Sequence, residues 1–169
     1  MRKLLLIAAV GVLCAVLTGC GASAKYIPVP GAAKVNPVGA FSIGEVTNAS
    51  KVEYLENGKK VSDAMHDALK LELVKKTAFA MPGDYALNIT IDQYKPGNAF
   101  ARWLSPGADS GETFLAISCS VADREGNELA RIRARKSITF GGGFTRGAWE
   151  YVFNDVAEEL VKTLQEYKR

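Results

Sequence analysis

The stretch from Thr113 to Ile138 reads TFLAISCSVADREGNELARIRARKSI and decides the fold. Apolar residues alternate with polar or small ones on both sides of a short polar segment, as expected for half-buried strands. Gly126 and Asn127 in that segment suit the positive φ angles of a tight turn. We therefore predict an antiparallel hairpin with strands over Thr113–Ala122 and Glu128–Phe140.

Two further strands and two helices are predicted outside the hairpin. Alternation in Tyr85–Asp92 indicates a half-buried strand, and Phe41–Val46 is read as the first strand. Apolar residues at helical spacing predict a helix that starts at a Ser62 or Asp63 cap and ends near Thr77. A longer apolar stripe predicts a final helix over about Arg146–Tyr167.

The element order β-α-β-β-β-α predicts an α+β fold. The first strand, helix and strand favour a parallel crossover, and the last two strands form the hairpin. Each strand has one apolar face, so both helices should cover that face. The prediction is a two-layer sandwich with a four-stranded mixed sheet and two helices on one face, in a single domain over residues 39–169.

Residues 1–19 have the layout of a secretory signal. Arg2 and Lys3 form a positive start, and an apolar run from Leu4 to Val16 follows. That run is shorter than the about 20 apolar residues of a transmembrane helix. The segment is therefore predicted to be a signal peptide that is removed. A soluble signal cleaved at Ala22-Ser23-Ala24 is the alternative.

Leu17-Thr18-Gly19-Cys20 resembles the lipobox of bacterial lipoproteins. In those proteins the cysteine sulfur receives a diacylglycerol and the preceding peptide is removed. The resemblance implies that the mature chain begins at a lipidated Cys20 and is attached to a membrane through it. Gly21 stands where an Asp often retains such proteins in the inner membrane, which favours the outer membrane, with the domain facing the periplasm.

Residues 20–38 are predicted to be the lipidated N-terminus and a tether. Pro28, Pro30 and Pro37 and several Gly and Ala residues are typical of a linker. Tyr26, Ile27 and Val29 are more apolar than a linker needs. Docking of this part on the domain, or a short edge strand, is therefore an open alternative.

Charge and cysteine content narrow the function classes. The formal charge of +3 falls to +1 when residues 1–19, with Arg2 and Lys3, are removed. A charge so near neutral does not indicate a nucleic-acid partner. Cys14 is lost with the signal and Cys20 is lipidated, so Cys119 remains as an unpaired core thiol.

The part of the chain from about Ala101 onward resembles a group of bacterial lipoprotein domains of unknown function. These domains carry an Arg before a Gly-rich loop, a hairpin with a D-x-x-G turn, a Gly-rich segment and a last amphipathic helix. The matching segments here are Arg102 with Pro106-Gly107 and Gly111, Asp123-Arg124-Glu125-Gly126, Gly141-Gly142-Gly143 and Asp155-Val156-Ala157-Glu158-Glu159-Leu160. They are similar to the α/β module of the N-terminal domain of TolB and of curli-secretion lipoproteins. The resemblance implies binding or assembly in the envelope and no catalytic residue.

Arg131, Arg133 and Arg135 are the strongest candidate binding residues. Their period-two spacing places all three guanidinium groups on one face of one strand. Guanidinium binds phosphate and carboxylate with paired hydrogen bonds, so the stripe is suited to a lipid phosphate, lipopolysaccharide or an acidic protein. The alternative is a solvated face on which Asp92 or Glu112 supplies cross-strand partners.

A second candidate binding site lies in the long loop over residues 95–111. Arg102 and Trp103, beside Phe100, have the composition of an interface anchor. The alternative is a lid whose Trp103 closes the open end of the core. Loops of this length are often functional.

No catalytic, metal or cofactor site is predicted. His66 is the single histidine, so a His-based zinc site has no second ligand of that kind. The Gly141–Gly147 segment lacks the Lys-Ser/Thr of a P-loop and is read as a connection between sheet and helix. We expect a non-enzymatic envelope module that binds a protein or another envelope component. The alternatives are a small envelope hydrolase with a deep pocket near the long loop and Gly141–Gly147, and a protein that binds anionic lipid or lipopolysaccharide.

Overall fold

A computed structural model describes residues 21–105, 111–139 and 147–167 of the chain. The predicted signal over residues 1–19, the predicted lipidation site Cys20 and the segment Gly141-Gly142-Gly143 lie outside these residues. The described elements, in chain order, are β1 (Ser23–Pro28), β2 (Phe41–Asn48), α1 (Val61–Lys75), β3 (Tyr85–Lys95), α2 (Ala99–Leu104), β4 (Thr113–Ala122), β5 (Glu128–Ile138) and α3 (Ala148–Glu166).

The described strands form one mixed sheet of five, in the order β1-β5-β4-β3-β2. β2 and β3 are parallel and are joined through α1, which confirms the predicted crossover. β4 and β5 pair antiparallel as the predicted hairpin, with Cys119 opposite Ile132. Asp123 closes the turn, since its carboxylate accepts the backbone N–H groups of Glu125 and Asn127.

The prediction of four strands is wrong. β1, which lies inside the segment predicted as a tether, pairs antiparallel with β5 and becomes an edge of the sheet. Tyr26 is partly buried against the core and stacks on Tyr167 just after α3, with ring centroids 3.6 Å apart. The apolar surface of Tyr26 therefore favours the edge-strand alternative over a free linker.

Both long helices pack on the same face of the sheet, as predicted. α3 contacts β1, β4 and β5, α1 contacts β2, and the two helices contact each other. Phe153 of α3 lies in the middle of this layer, with its ring centroid 5.4 Å from that of Tyr94 on β3. At the rim, Lys136 Nζ lies 2.8 Å from the Asp155 carboxylate and links β5 to α3.

Two boundaries differ from the sequence prediction. α1 begins at Val61 after Lys60, so neither Ser62 nor Asp63 is its N-cap; Asp63 lies in the first turn, where a carboxylate favours the positive end of the helix dipole. The predicted loop over residues 95–111 contains a short helix, α2, that was not predicted. Its N-cap is Asn98, whose side-chain oxygen accepts the backbone N–H groups of Phe100 and Ala101.

Candidate functional site

The sheet face opposite the helices carries a row of cations on neighbouring strands. Arg131, Arg133 and Arg135 point away from the core on β5 and are exposed, which confirms that they share one face. Pairing of β1 with β5 sets Lys25 opposite Arg133 and Ser23 opposite Arg135. Lys25 is also exposed, so it adds a fourth cation to the row. We call this surface the open sheet face.

Arg131 forms an ion pair with a carboxylate on its own strand. Its Nε and Nη2 donate to the two carboxylate oxygens of Glu128 at 2.6 and 2.7 Å. This hydrogen bonding lowers the pKa of Glu128 and raises the pKa of Arg131. Arg131 and Glu128 therefore form a fork-to-fork ion pair, which leaves Arg131 the least available of the row.

Arg133, Arg135 and Lys25 have no carboxylate within ion-pair distance among the residues that the structure describes. The two carboxylates considered from the sequence each bond to another side chain. Asp92 accepts a hydrogen bond from Ser118 Oγ at 2.7 Å, and Glu112 lies 3.4 Å from Lys95 Nζ. Neither carboxylate forms an ion pair with Arg133, Arg135 or Lys25, although Asp92 lines the same depression as these three cations.

Two shallow depressions flank Arg133 on the open sheet face. One, of about 400 Å³, is lined by Lys25, Asp92, Arg133 and Arg135. The other, of about 420 Å³, is lined by Arg131, Arg133 and the polar side chains Asn88, Thr90, Ser118 and Ser120. Guanidinium groups beside hydroxyl and amide groups can bind phosphate or carboxylate groups. The arrangement is that of a binding surface for an acidic partner.

Arg102 is buried at 2% exposure and holds the loop together. Its Nη1 donates to the backbone carbonyl of Gly111 and to Thr113 Oγ1, both at 2.7 Å. Thr113 Oγ1 in turn donates to the Pro96 carbonyl at 2.9 Å. A Cβ at Gly111 would lie 2.5 Å from the Arg102 backbone nitrogen, so this close approach requires glycine. Arg102 therefore does not lie on an exposed binding surface in this structure.

Trp103 has the opposite environment and is 64% exposed. It lies on α2 with Phe100 and Leu104, which are also mostly exposed, and the Phe100 and Trp103 ring centroids are 5.9 Å apart. We call these three side chains the α2 apolar patch. Trp103 therefore does not close the end of the core. The other tryptophan, Trp149, does pack against the core, where it is partly buried and makes an edge contact with Phe153.

A depression of about 270 Å³ lies beside α2. Its lining includes Glu56, Gly97, Asn98, Arg102 and Gly147. Burial lowers the pKa of Arg102, while the charge of Glu56 acts in the opposite direction. Glu56 and Arg102 are the ionisable groups in this lining.

His66, the single histidine, and the thiol of Cys119 are not in the lining of this depression. His66 is on α1, where its Nδ1 lies 3.4 Å from the Asp67 carboxylate, and both side chains are well exposed. Cys119 is buried between the hairpin and the helices. Burial raises the pKa of its thiol well above the usual range.

Cys119 is expected to resist alkylation by iodoacetamide in the folded chain, even at alkaline pH. The raised pKa keeps the thiol protonated, and the thiolate is the reactive species. Complete modification is expected once urea exposes the residue. Mass spectrometry before and after denaturation measures both. Rapid alkylation of the native chain would contradict the buried position.

Within the described ranges, no group of three or more His, Cys, Asp or Glu side chains is arranged to hold a metal ion. No helix in these ranges is long and apolar enough to cross a membrane.

Solved structures show where this fold occurs. PelC from Paraburkholderia phytofirmans, described as a dodecamer, aligns with 82% of this chain and 96% of its own at a TM-score of 0.52 and 9% identity. At this identity the likeness is one of fold alone. A minor lipoprotein from Acinetobacter baumannii covers 72% of this chain and 88% of its own at 14% identity, and its TM-score of 0.34 does not establish a common fold.

Sequence comparison with curated proteins finds no match. The resemblance to TolB and curli-secretion proteins stays a prediction. A family described as "Domain of unknown function (DUF4410)" matches residues 19–142, which span most of the described sheet. The chain therefore belongs to the DUF4410 family.

Proposed function

We propose that this protein is a lipid-anchored envelope lipoprotein that acts as a non-enzymatic binding or assembly module. The domain is attached through Cys20 to the outer membrane and faces the periplasm. Its open sheet face binds an acidic protein or another anionic envelope component. One observation carries the binding proposal: Lys25, Arg133 and Arg135 form a row of exposed cations with no carboxylate partner in the described part of the chain.

The anchor rests on the sequence Leu17-Thr18-Gly19-Cys20 at the end of the apolar run. Lipoproteins carry two or three acyl chains, and more than one such chain makes membrane attachment stable. An assembly role draws support from PelC, which shares the fold and is described as a dodecamer.

The environments of the candidate catalytic side chains favour a binding role over a hydrolase. The Cys119 thiol is kept protonated in the core, and His66 is a surface residue beside Asp67. The depression near α2 has Glu56 opposite a guanidinium that is already bonded to Gly111 and Thr113. The open sheet face, in contrast, has cations that are available to a partner.

A photoreactive amino acid at Ala116 tests this proposal in intact cells. Ala116 lies beside Arg135 in the lining of the depression that also contains Lys25, and it has no side-chain hydrogen bond to lose. We expect adducts with a defined partner from Ala116 and none from a matched probe at Glu158. Glu158 is exposed on α3, in the opposite layer. Identical adducts from both positions, or none under several growth conditions, would contradict a partner on this face.

Charge reversal of the same row should abolish the adduct. Arg133→Glu with Arg135→Glu removes no ion pair that the described residues make, so stability should change by less than about 0.5 kcal/mol per substitution. Lys34→Glu with Lys51→Glu makes the same change in net charge at exposed positions elsewhere and should leave the adduct intact.

Vesicle binding separates an acidic protein from an anionic lipid as the partner. In a Cys20→Ser chain, which lacks the acyl anchor, Arg131→Gln, Arg133→Gln and Arg135→Gln together should abolish the part of vesicle binding that depends on anionic lipid, if lipid phosphate is the ligand. An acidic protein is supported as the partner if the chain crosslinks to a protein and binds vesicles equally well with and without anionic lipid.

A further inference from the structure

The folded sheet begins very close to the predicted anchor. β1 starts at Ser23, three residues after Cys20. Three residues span at most about 11 Å even when fully extended. If Cys20 carries the acyl chains, as proposed above, the bilayer lies next to the end of the sheet at which Ser23 stands. We call this end of the sheet the Ser23 end.

The strand pairing shows which parts of the molecule share the Ser23 end. Ser23 lies opposite Arg135, Arg135 opposite Ala116, and Ala116 opposite Gln93. Beyond this row, β3 ends at Lys95 and α2 follows directly. Neighbouring strands are about 4.8 Å apart, so β3 lies about 14 Å from β1 across the sheet. α2 is therefore held beside the anchor at the same end.

α2 presents apolar side chains at this end. Phe100, Trp103 and Leu104 are exposed by about two thirds, whereas Arg102, on the inner side of the helix, is buried. The bonds from Arg102 to Gly111 and Thr113 fix α2 to the start of β4, so the patch is held in place. A contiguous apolar patch on a soluble domain marks an interaction surface. Aromatic side chains such as Trp are enriched at the membrane–water interface.

We propose that the α2 apolar patch inserts into the headgroup region of the bilayer that carries the Cys20 anchor. The short distance from Cys20 to β1 and the position of α2 at the Ser23 end both direct the patch toward that bilayer. Arg135 lies at the same end, where its charge can meet lipid phosphates. The anchor and the patch together orient the domain and leave the hairpin turn at Asp123–Asn127 pointing away from the membrane. The proposal rests on the lipid anchor of the proposed function.

Depth-dependent fluorescence quenching tests this placement on the full lipidated protein in vesicles of phosphatidylethanolamine and phosphatidylglycerol. The chain has two tryptophans, so Trp149→Phe leaves Trp103 as the single reporter. We expect its emission to shift to the blue on reconstitution. Quenching should be strongest with a nitroxide near the headgroup–acyl boundary, about 5–10 Å deep.

A matched reporter lies at the opposite end of the sheet. Val38 is 76% exposed, and its neighbour Asn36 donates its backbone N–H to the hydroxyl of Tyr85 at the start of β3. Val38→Trp in a Trp103→Phe, Trp149→Phe chain should show neither the shift nor the quenching.

The outcomes separate the two proposals. An N-terminus without acyl groups, seen by mass spectrometry, would overturn the anchor and with it this placement. An acylated chain in which Trp103 is quenched no more than the Val38→Trp reporter would overturn the placement alone. A blue shift that depends on protein density and not on the lipid nitroxide would also overturn it, and would assign the patch to contact between copies of the chain.

Discussion

Replacing Phe153 by alanine is expected to lower the free energy of unfolding by about 3–5 kcal/mol. Phe153 is 1% exposed at the centre of the interface between α3 and the sheet, where it contacts Tyr94 and Trp149. Removing the ring deletes buried apolar surface and leaves a cavity that the surrounding strands cannot close. A typical domain has a total stability of about 5–15 kcal/mol, so this change takes a large part of it.

Tyr151 supplies the matched control, two residues away on the same helix. It is 59% exposed, and Tyr151→Ala should change stability by less than about 0.5 kcal/mol. Urea unfolding followed by circular dichroism measures both variants. Equal losses of stability in Phe153→Ala and Tyr151→Ala would show that α3 does not pack on the sheet through the face that carries Phe153.

The strongest periodic patterns in the sequence predicted the hairpin and α3 correctly. Residues 113–138 form paired strands, and Leu115, Ile117, Cys119 and Val121 are buried. Strict alternation of apolar and polar residues puts all the apolar side chains on one face of a strand, so the buried face can be identified from the sequence. The stripe of α3 is wide enough to define its inner face without tertiary information, and Val152, Phe153, Val156 and Leu160 are all buried.

β1 was predicted only as an alternative to a tether, because its composition indicates a linker while its pairing makes it a strand. The prolines after Ser23–Ile27 indicate a linker, and Pro28 lies at the end of an edge strand, where a missing N–H is tolerated. The pairing with β5 depends on a partner more than a hundred residues away, which local periodicity does not contain. The alternation of Ala24 and Tyr26 with Ser23 and Lys25 was the available signal. Following it would have added Lys25 to the candidate site.

Arg102 and Trp103 show why neighbouring residues in a loop are hard to assign from sequence. Their composition predicted one interface anchor, but the turn of α2 directs the two side chains to opposite sides. Arg102 meets the carbonyl of Gly111, and Trp103 meets solvent. The helix itself was hidden because six residues carry too little periodicity to detect. The Asn98 cap was its clearest sequence signal.

Replacing Cys20 by serine is expected to remove all lipid from the protein. A serine hydroxyl is not the thiol that accepts the diacylglycerol in the lipoproteins that this segment resembles. Metabolic labelling with a fatty acid should therefore give a labelled wild-type band and no label in Cys20→Ser. Acyl chains contribute about 0.8 kcal/mol for each buried CH₂ group, so their loss removes most of the free energy that holds the chain to the membrane.

Cys14→Ser is the matched control, because it makes the same chemical change six residues earlier in a segment that is predicted to be removed. It should keep the label and the membrane attachment. Cys119→Ser should also keep them, since that thiol is enclosed in the core. Label that persists in Cys20→Ser would contradict the lipobox. A Cys20→Ser chain could instead be cleaved after Ala24, lose its label and leave the membrane. That result would show that the soluble-signal site is usable. It would also show that the acyl chains hold the natural protein to the bilayer.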